Sequence, residues 1–289
     1  MPLSSSKFLL FVFLFVACGD WNPEVELPQE KGIPVVSGFL KVGEEISFSI
    51  FQSTSPLDAH LKNEKGNLKL SINDLQYALL MDSNSYSNPS KISELDTIEL
   101  IGEVDGQFFE SIDICPIGLK KENVSFYQAD KNRIQITLKN QQVENYYQFE
   151  VFETWMEYET ELGGVYYDSI VRTIPINFSS NNLFFDNPRP INNLGQDYRI
   201  FHWNREQNEV LDFTISLNNV LDKAAKHKDL FREVILRKIS DNHYNFLLSI
   251  SQNTYRYGDV LSLPINAFTN VKNGLGMFCC YAEIRDTIE

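Results

Sequence analysis

The stretch Ile33 to Phe51, IPVVSGFLKVGEEISFSIF, decides the fold. Two short runs rich in β-branched and aromatic residues flank Gly43-Glu44, and the second, Glu45 to Phe51, alternates apolar and polar side chains. A period of two belongs to a strand with one face in a core and one in water, so the stretch predicts a half-buried hairpin. Working outward, similar runs recur at Leu68 to Ile72, Thr97 to Val104, Gln107 to Ile114, Arg133 to Leu138, Tyr146 to Phe152, Val165 to Ile176, Arg199 to Phe201, Leu211 to Leu217 and Glu233 to Ile239. Asp105-Gly106 and Gly163-Gly164 supply turns between them. Runs this short and numerous predict a mainly β fold, built as two antiparallel β-sandwich domains. No helical segments alternate with the strands, so nothing in the pattern calls for a parallel sheet.

One or two short helices are expected in the second domain. Asp241 to Gln252 has Ser240 or Asp241 as N-cap and sets Tyr244, Leu247, Leu248 and Ser251 on one face. Val220 to Phe231, VLDKAAKHKDLF, is a weaker candidate that also fits a charged loop. Cys115-Pro116-Ile117-Gly118 ends a strand run before a charged patch, so the domain boundary is placed there: residues 35–116 form the first sandwich and 117–289 the second.

Ahead of the sandwiches lies a different kind of sequence. Lys7 and the apolar run Phe8 to Ala17 read as a signal peptide, since the run is too short to cross a bilayer, which takes about 20 residues as a helix. Phe15-Val16-Ala17-Cys18 resembles the bacterial lipobox, in which the cysteine is acylated and becomes the new amino terminus; the alternative is an ordinary secretory peptide cut near Ala17. The expected division is therefore 1–17 signal peptide and 18–34 lipidated tether, with Cys18 carrying lipid such as palmitate. Two or more acyl chains hold a protein stably at a membrane where one does so only marginally. The acidic, proline-containing segment Gly19 to Pro34 reads as a spacer. Its acids, Asp20, Glu24 and Glu26, resemble the export signal of lipoproteins of the Bacteroidota phylum, so the expected location is the outer membrane, lipid-anchored and surface-exposed.

With 43% hydrophobic and 22% charged residues in 289, the chain can bury a core and is not disordered as a whole. The formal charge of −14 repels phosphate backbones, so no nucleic-acid partner is expected. His60, His202, His227 and His243 lie in unlike contexts without metal-ligand spacing, and no Gly-x-Ser-x-Gly elbow, Walker loop or dinucleotide fingerprint occurs. Asp82-x-Asn84-x-Tyr86 begins like a calcium loop but lacks its glycine and its terminal glutamate. No metal, no cofactor and no catalytic residue is assigned.

Two segments offer contact surfaces. Glu153, Glu157, Glu159 and Glu161 flank Trp155 and Tyr158 before Gly163-Gly164 turns the chain into Tyr166, Tyr167 and Asp168. Aromatics stack on sugar faces and paired carboxylates hydrolyse glycosidic bonds, so a glycan-acting hydrolase using carboxylates among Glu153 to Asp168 is one reading. The other is a long hairpin with solvated acids whose tip is a contact surface. In the loop Ser179 to Asn193, Leu183, Phe184 and Phe185 either plug the core or dock on a partner. Adjacent cysteines on a strand face opposite ways, so Cys279 and Cys280 cannot grip one ion together. One of them can form a disulfide with Cys115 in an oxidising envelope.

The lipobox, the acidic spacer, the Pro34 to Phe39 pattern, Asn145 to Val151, the late helix and the terminal run Thr269-Asn270-Val271-Lys272-Asn273-Gly274-Leu275-Gly276-Met277-Phe278 occur in that order. Together they resemble a family of Bacteroidota lipoproteins catalogued as a domain of unknown function (four-two-four-nine). That resemblance implies an accessory lipoprotein encoded beside a TonB-dependent outer-membrane receptor of a nutrient-uptake system, which is the expected partner. A purely structural envelope lipoprotein is a further reading. Asp96-Thr97-Ile98, Asp168-Ser169-Ile170 and Asp286-Thr287-Ile288 resemble O-glycosylation sites of that phylum, at Thr97, Ser169 and Thr287.

Overall fold

The computed structural model describes residues 32–53, 67–82, 85–139, 144–160, 166–181, 183, 185–187, 191–193, 196–204, 210–218, 227–256 and 267–288. In chain order the strands are β1 (Pro34–Lys41), β2 (Glu45–Gln52), β3 (Asn67–Ile72), β4 (Leu75–Tyr77), β5 (Leu80–Asp82), β6 (Ser85–Lys91), β7 (Thr97–Val104), β8 (Gln107–Ile114), β9 (Val124–Asp130) and β10 (Arg133–Lys139). They continue with β11 (Glu144–Thr160), β12 (Tyr166–Pro175), β13 (Phe178–Ser180), β14 (Ile191–Asn193), β15 (Gln196–Asn204), β16 (Val210–Leu217), β17 (His227–Ile239), β18 (Val271–Lys272) and β19 (Leu275–Ile288). One α-helix stands among the described residues, α1 (Asp241–Arg256).

The opening hairpin forms as its pattern predicts. Ile46, Phe48 and Ile50 of β2 are buried while Ser47 faces solvent, and Gly43 makes the turn at φ +87°. Asp105-Gly106 closes β7 onto β8 with both residues at positive φ, the geometry that two-residue hairpins favour. A ten-stranded sheet runs β14-β15-β11-β17-β19-β1-β2-β6-β5, with β12 also paired to β11. A five-stranded sheet, β18-β8-β7-β3-β4, and a four-stranded one, β13-β16-β10-β9, complete the strands. Among the described residues every pairing is antiparallel except β1 with β19, which is parallel from Val35↔Leu275 to Lys41↔Tyr281. The antiparallel expectation is corrected there: turn and spacing signals report neighbours in sequence, whereas β1 and β19 lie at opposite ends of the sandwich-forming chain.

Both small sheets pack on one face of the large sheet. The first core joins Val36, Leu40, Ile46, Phe48 and Ile50 to Leu70, Ile98, Leu100 and Phe109. The second joins Tyr147, Phe149, Val151, Phe201 and Leu236 to Ile134, Ile136, Phe178, Phe213 and Ile215. The boundary expected at 116/117 thus separates two cores but not two bodies, since residues 32–289 form one compact unit. β19 crosses both, giving Phe278 and Cys280 to the first core and Ile288, with Ile284 packed against it, to the second. A strand shared by two cores makes their folding one event.

The other face of the large sheet carries α1. Ser240 is its N-cap, accepting the His243 N–H at 3.2 Å, and Leu247 and Ser251 are buried with Tyr244 and Leu248 half-covered, the face read from sequence. Of the weaker helix candidate Val220 to Phe231, residues 227–231 lie in β17 instead; the remainder is outside the described residues. No helix among the described residues is long and apolar enough to cross a membrane.

Lys238 is buried on the sandwich side of β17, across from Tyr147 and Ala282. Burial pushes its amine down to about 8, against the pull of Glu94. The sign follows: between about pH 8 and 10.5 the unfolded chain holds a proton that the native chain has lost, so stability rises with pH across that window. Lys238→Met is expected to stabilise the chain by about 2 kcal/mol at pH 7, because the charging cost disappears. Urea midpoints of the two proteins should converge as pH approaches 10.5.

Candidate functional site

β11 is twice the length of most strands here and changes partners along its course. Its first half pairs with β15 over Glu144 to Glu150, its second with β12 over Phe152 to Thr160, and β17 follows it from Tyr146 to Glu157. β19 pairs with β17 only from Arg232 onward. From Thr154 outward, β12, β11 and the start of β17 therefore form a three-stranded arm, and β12 is hydrogen-bonded to β11 alone among the described residues. Residues opposite one another in an antiparallel pair share a face.

One face of the arm carries polar work. Glu153 is fully buried and accepts two hydrogen bonds from Arg232, Nε at 3.1 Å and Nη2 at 3.0 Å, while Nη1 donates to the Lys131 carbonyl at 2.6 Å. Glu157 accepts from Arg172 Nε at 2.9 Å. These carboxylates are four residues apart on one strand, hence roughly 13 Å, beyond the roughly 5 to 10 Å that a glycosidase pair requires. Both are committed to arginines. The side chains of Glu159 and Asp168, and the whole of Glu161, lie outside the described residues.

The opposite face is mixed: Met156 stands across from Lys228 and Phe152 across from Glu233, between threonines and exposed apolar side chains. Thr154 stands across from Thr173 and Phe231, with the two threonine hydroxyls 3.0 Å apart, and Met156 stands across from Val171. Val171 is 64% and Phe231 36% exposed. The helix does not reach them, since it lies farther along the sheet on Tyr146 and Ile239.

The contact residues expected from sequence divide as follows. Trp155 is 9% exposed and belongs to the interior, so it offers no contact surface. Phe185 is half-buried, edge-on to Phe178 and Phe201, with the Arg199 guanidinium 5.4 Å from its ring centre. With Leu183 it packs on the second core, as a plug. Phe184, and the side chains of Tyr158, Tyr166 and Tyr167, are outside the described residues, as is Cys18. For glycosylation, Thr287 is exposed, Thr97 is half-buried with its N–H bonded to Asn73, and the Ser169 side chain is not described.

A charged row on the helix side was not read from sequence. Arg237 donates to Glu150 at 2.5 Å and Glu283 at 2.8 Å, and Lys41 reaches Glu283 at 3.3 Å and Glu44 at 2.7 Å, so the row crosses four strands. Burial works against ionisation of Glu283, but Arg237 and Lys41 beside it hold its carboxyl below the ordinary value. The signal available was Gln148 and Glu150 alternating with Tyr147, Phe149 and Val151, a strand covered on both faces with one face polar. At the far end of α1, Tyr146 stacks on Tyr244 at 4.3 Å and on His202 at 5.2 Å. Burial raises Asp186, while the Tyr244 hydroxyl and the His202 N–H bond its carboxylate and fasten this segment to the helix.

The terminal glycine run is a clasp. Gly276 is at φ +89°, where a Cβ would sit 2.0 Å from the Val36 carbonyl oxygen. Gly38 lies against the Phe278 ring, and Asn270 closes the turn by accepting the Phe278 N–H at 3.0 Å and donating to its carbonyl at 2.7 Å. These are the same residues that carry the family resemblance. A family model described as "Domain of unknown function (DUF4249)" matches residues 22–287. The chain belongs to this family. No curated protein matches it. In this DUF4249 domain the terminal Asn-Gly-x-Gly-x-Phe element serves architecture, joining the first strand of the sheet to the last. Among the described residues no group of three or more His, Cys, Asp or Glu is arranged to hold a metal ion.

Proposed function

We propose that this chain is a lipid-anchored accessory protein of the outer membrane's outer surface that binds a TonB-dependent nutrient-uptake receptor. The observation that supports a binding role is the three-stranded arm, with Val171 exposed on β12, which is hydrogen-bonded to β11 alone among the described residues, and Phe231 exposed on β17. Such an edge accepts another chain by strand addition, and apolar neighbours supply the side-chain contacts. The anchor rests on the Phe15 to Cys18 sequence; the spacer expected over 18–34 is shortened at its end, since Pro34 opens β1 and Ile33 is hydrogen-bonded to Ser53, and the acidic segment before them gives the arm reach from the lipid.

Two measurements test this. Cys18→Ser is expected to move the protein from the membrane fraction to the soluble envelope fraction and to abolish palmitate labelling; retention of label would refute the anchor. Capture of the tagged lipoprotein from detergent-solubilised membranes should recover a TonB-dependent receptor, and Val171→Asp should lower that recovery at least about tenfold, the scale of one central interface contact. Recovery of no receptor with the wild-type chain, or equal recovery with the variant, counts against the binding role assigned to the arm.

A further inference from the structure

Cys115, Cys279 and Cys280 are all buried and all free. The pleat of β19 separates the last two. Cys280 points with Phe278 into the first core, where Cys115 also lies. Cys279 stands beside Phe39, whose ring meets His243 and Phe246 of α1 on the other face. The Cys280 thiol is hydrogen-bonded to that of Cys115, and these two share the first core while Cys279 does not belong to it.

The backbone around both residues is fixed independently of the sulfurs. Cys115 is tied on both sides to the β6–β7 connection, its N–H donating to the Asp96 carbonyl at 2.8 Å and its carbonyl accepting from Leu95 at 3.1 Å. The Cys280 N–H donates to Asp113 Oδ2 at 2.7 Å, and its carbonyl accepts from Ser240 at 3.2 Å. Asp113 is two residues from Cys115, so one carboxylate brings the two cysteine segments together. Asn242 donates to the same group at 2.9 Å.

We infer that Cys115 and Cys280 are a disulfide site that staples the end of β8 to β19, with Cys279 left as a free buried thiol. The step exchanges with the disulfide of a thiol oxidoreductase or of oxidised glutathione. The two S–H bonds break, one S–S bond forms, and the two electrons and two protons pass to the acceptor, which leaves as two thiols. The hydrogen bond that the Cys280 S–H donates to Cys115, burial and the nearby Asp113 carboxylate all disfavour the Cys280 thiolate. The folded core is therefore a slow substrate, and the exchange belongs to folding, before β8 and β19 are sealed. The closed loop spans more than half the chain, the regime in which a cross-link restricts the unfolded state most. Occurrence of the bond in the cell rests on the export reading above; the geometry does not.

The full-length chain, purified reduced, is unfolded and refolded in oxidised and reduced glutathione, then denatured, alkylated and mapped by mass spectrometry. The expected result is a Cys115–Cys280 linked peptide, two hydrogens lighter than its reduced parts, with Cys279 alkylated. Reduction should lower Tm on the order of 10 °C. Cys279→Ser should keep the link and the shift, and Cys115→Ala should lose both. A natively refolded chain with every thiol alkylated, or a link through Cys279, overturns the inference. A link formed in vitro and missing from protein that is recovered outside the envelope fraction overturns the export reading and leaves the site standing.

Discussion

Gly276→Ala is expected to destabilise the chain by more than about 4 kcal/mol and to leave little folded protein in expressing cells. A methyl group there would lie 2.0 Å from the Val36 carbonyl oxygen and 3.0 Å from its carbonyl carbon, so the clash is with backbone that cannot swing away. The strand at fault is the parallel partner of β1, and β1 and β19 are the adjoining central strands of the sheet that carries both cores. Opening that seam detaches Phe278 and Cys280 from the first core and disturbs Ile288 in the second. Gly43→Ala is the control for strain without clash: φ is +87° there too, but nothing lies within 4 Å of the added carbon. It should cost about 1 to 2 kcal/mol, the penalty of a left-handed L-residue alone. Urea midpoints of the two variants decide the matter; equal losses would show that backbone strain, and not the β1–β19 contact, makes Gly276 necessary.

Arg232→Met is expected to cost about 3 to 5 kcal/mol. It takes both guanidinium hydrogen bonds from Glu153, whose side chain is 0% exposed, and one from the Lys131 carbonyl. A carboxylate left in a low-dielectric interior without its counter-charge is far costlier than the pair was favourable. The double variant Arg232→Met, Glu153→Met should recover most of the loss, since no buried charge then remains. Failure of the second substitution to recover stability would mean that the pair holds the arm by geometry and not by charge balance. Glu153 is thus a buried counter-charge at the root of the arm, held by Arg232.

Much of this was legible in the residues. Period-two alternation at Glu45 to Phe51, the Asp105-Gly106 turn and the Ser240 cap act within a few residues, and local sterics and hydrogen bonding settle them before any long-range contact forms. Glu153 and Trp155 show the limit. A strand with acids and aromatics at alternating positions reads equally as a solvated hairpin or as a buried one, because periodicity states that two faces differ and not which is covered. Only β17 laid along β11 decided that Glu153 and Trp155 face inward and that Thr154 and Met156 share a face with the exposed Val171 and Phe231.

By itself the sequence determined the mainly β class, the hairpins, the buried face of the helix that begins at Asp241, and a glycine-spaced terminal run that marks the family. Tertiary structure alone decided that the two halves share one sheet, that the last strand lies parallel to the first, and that Cys115 and Cys280 share the first core. Each of those depends on contacts between residues far apart in the chain, whose pairing is set by the best joint burial of both cores and leaves no periodic trace in either segment alone.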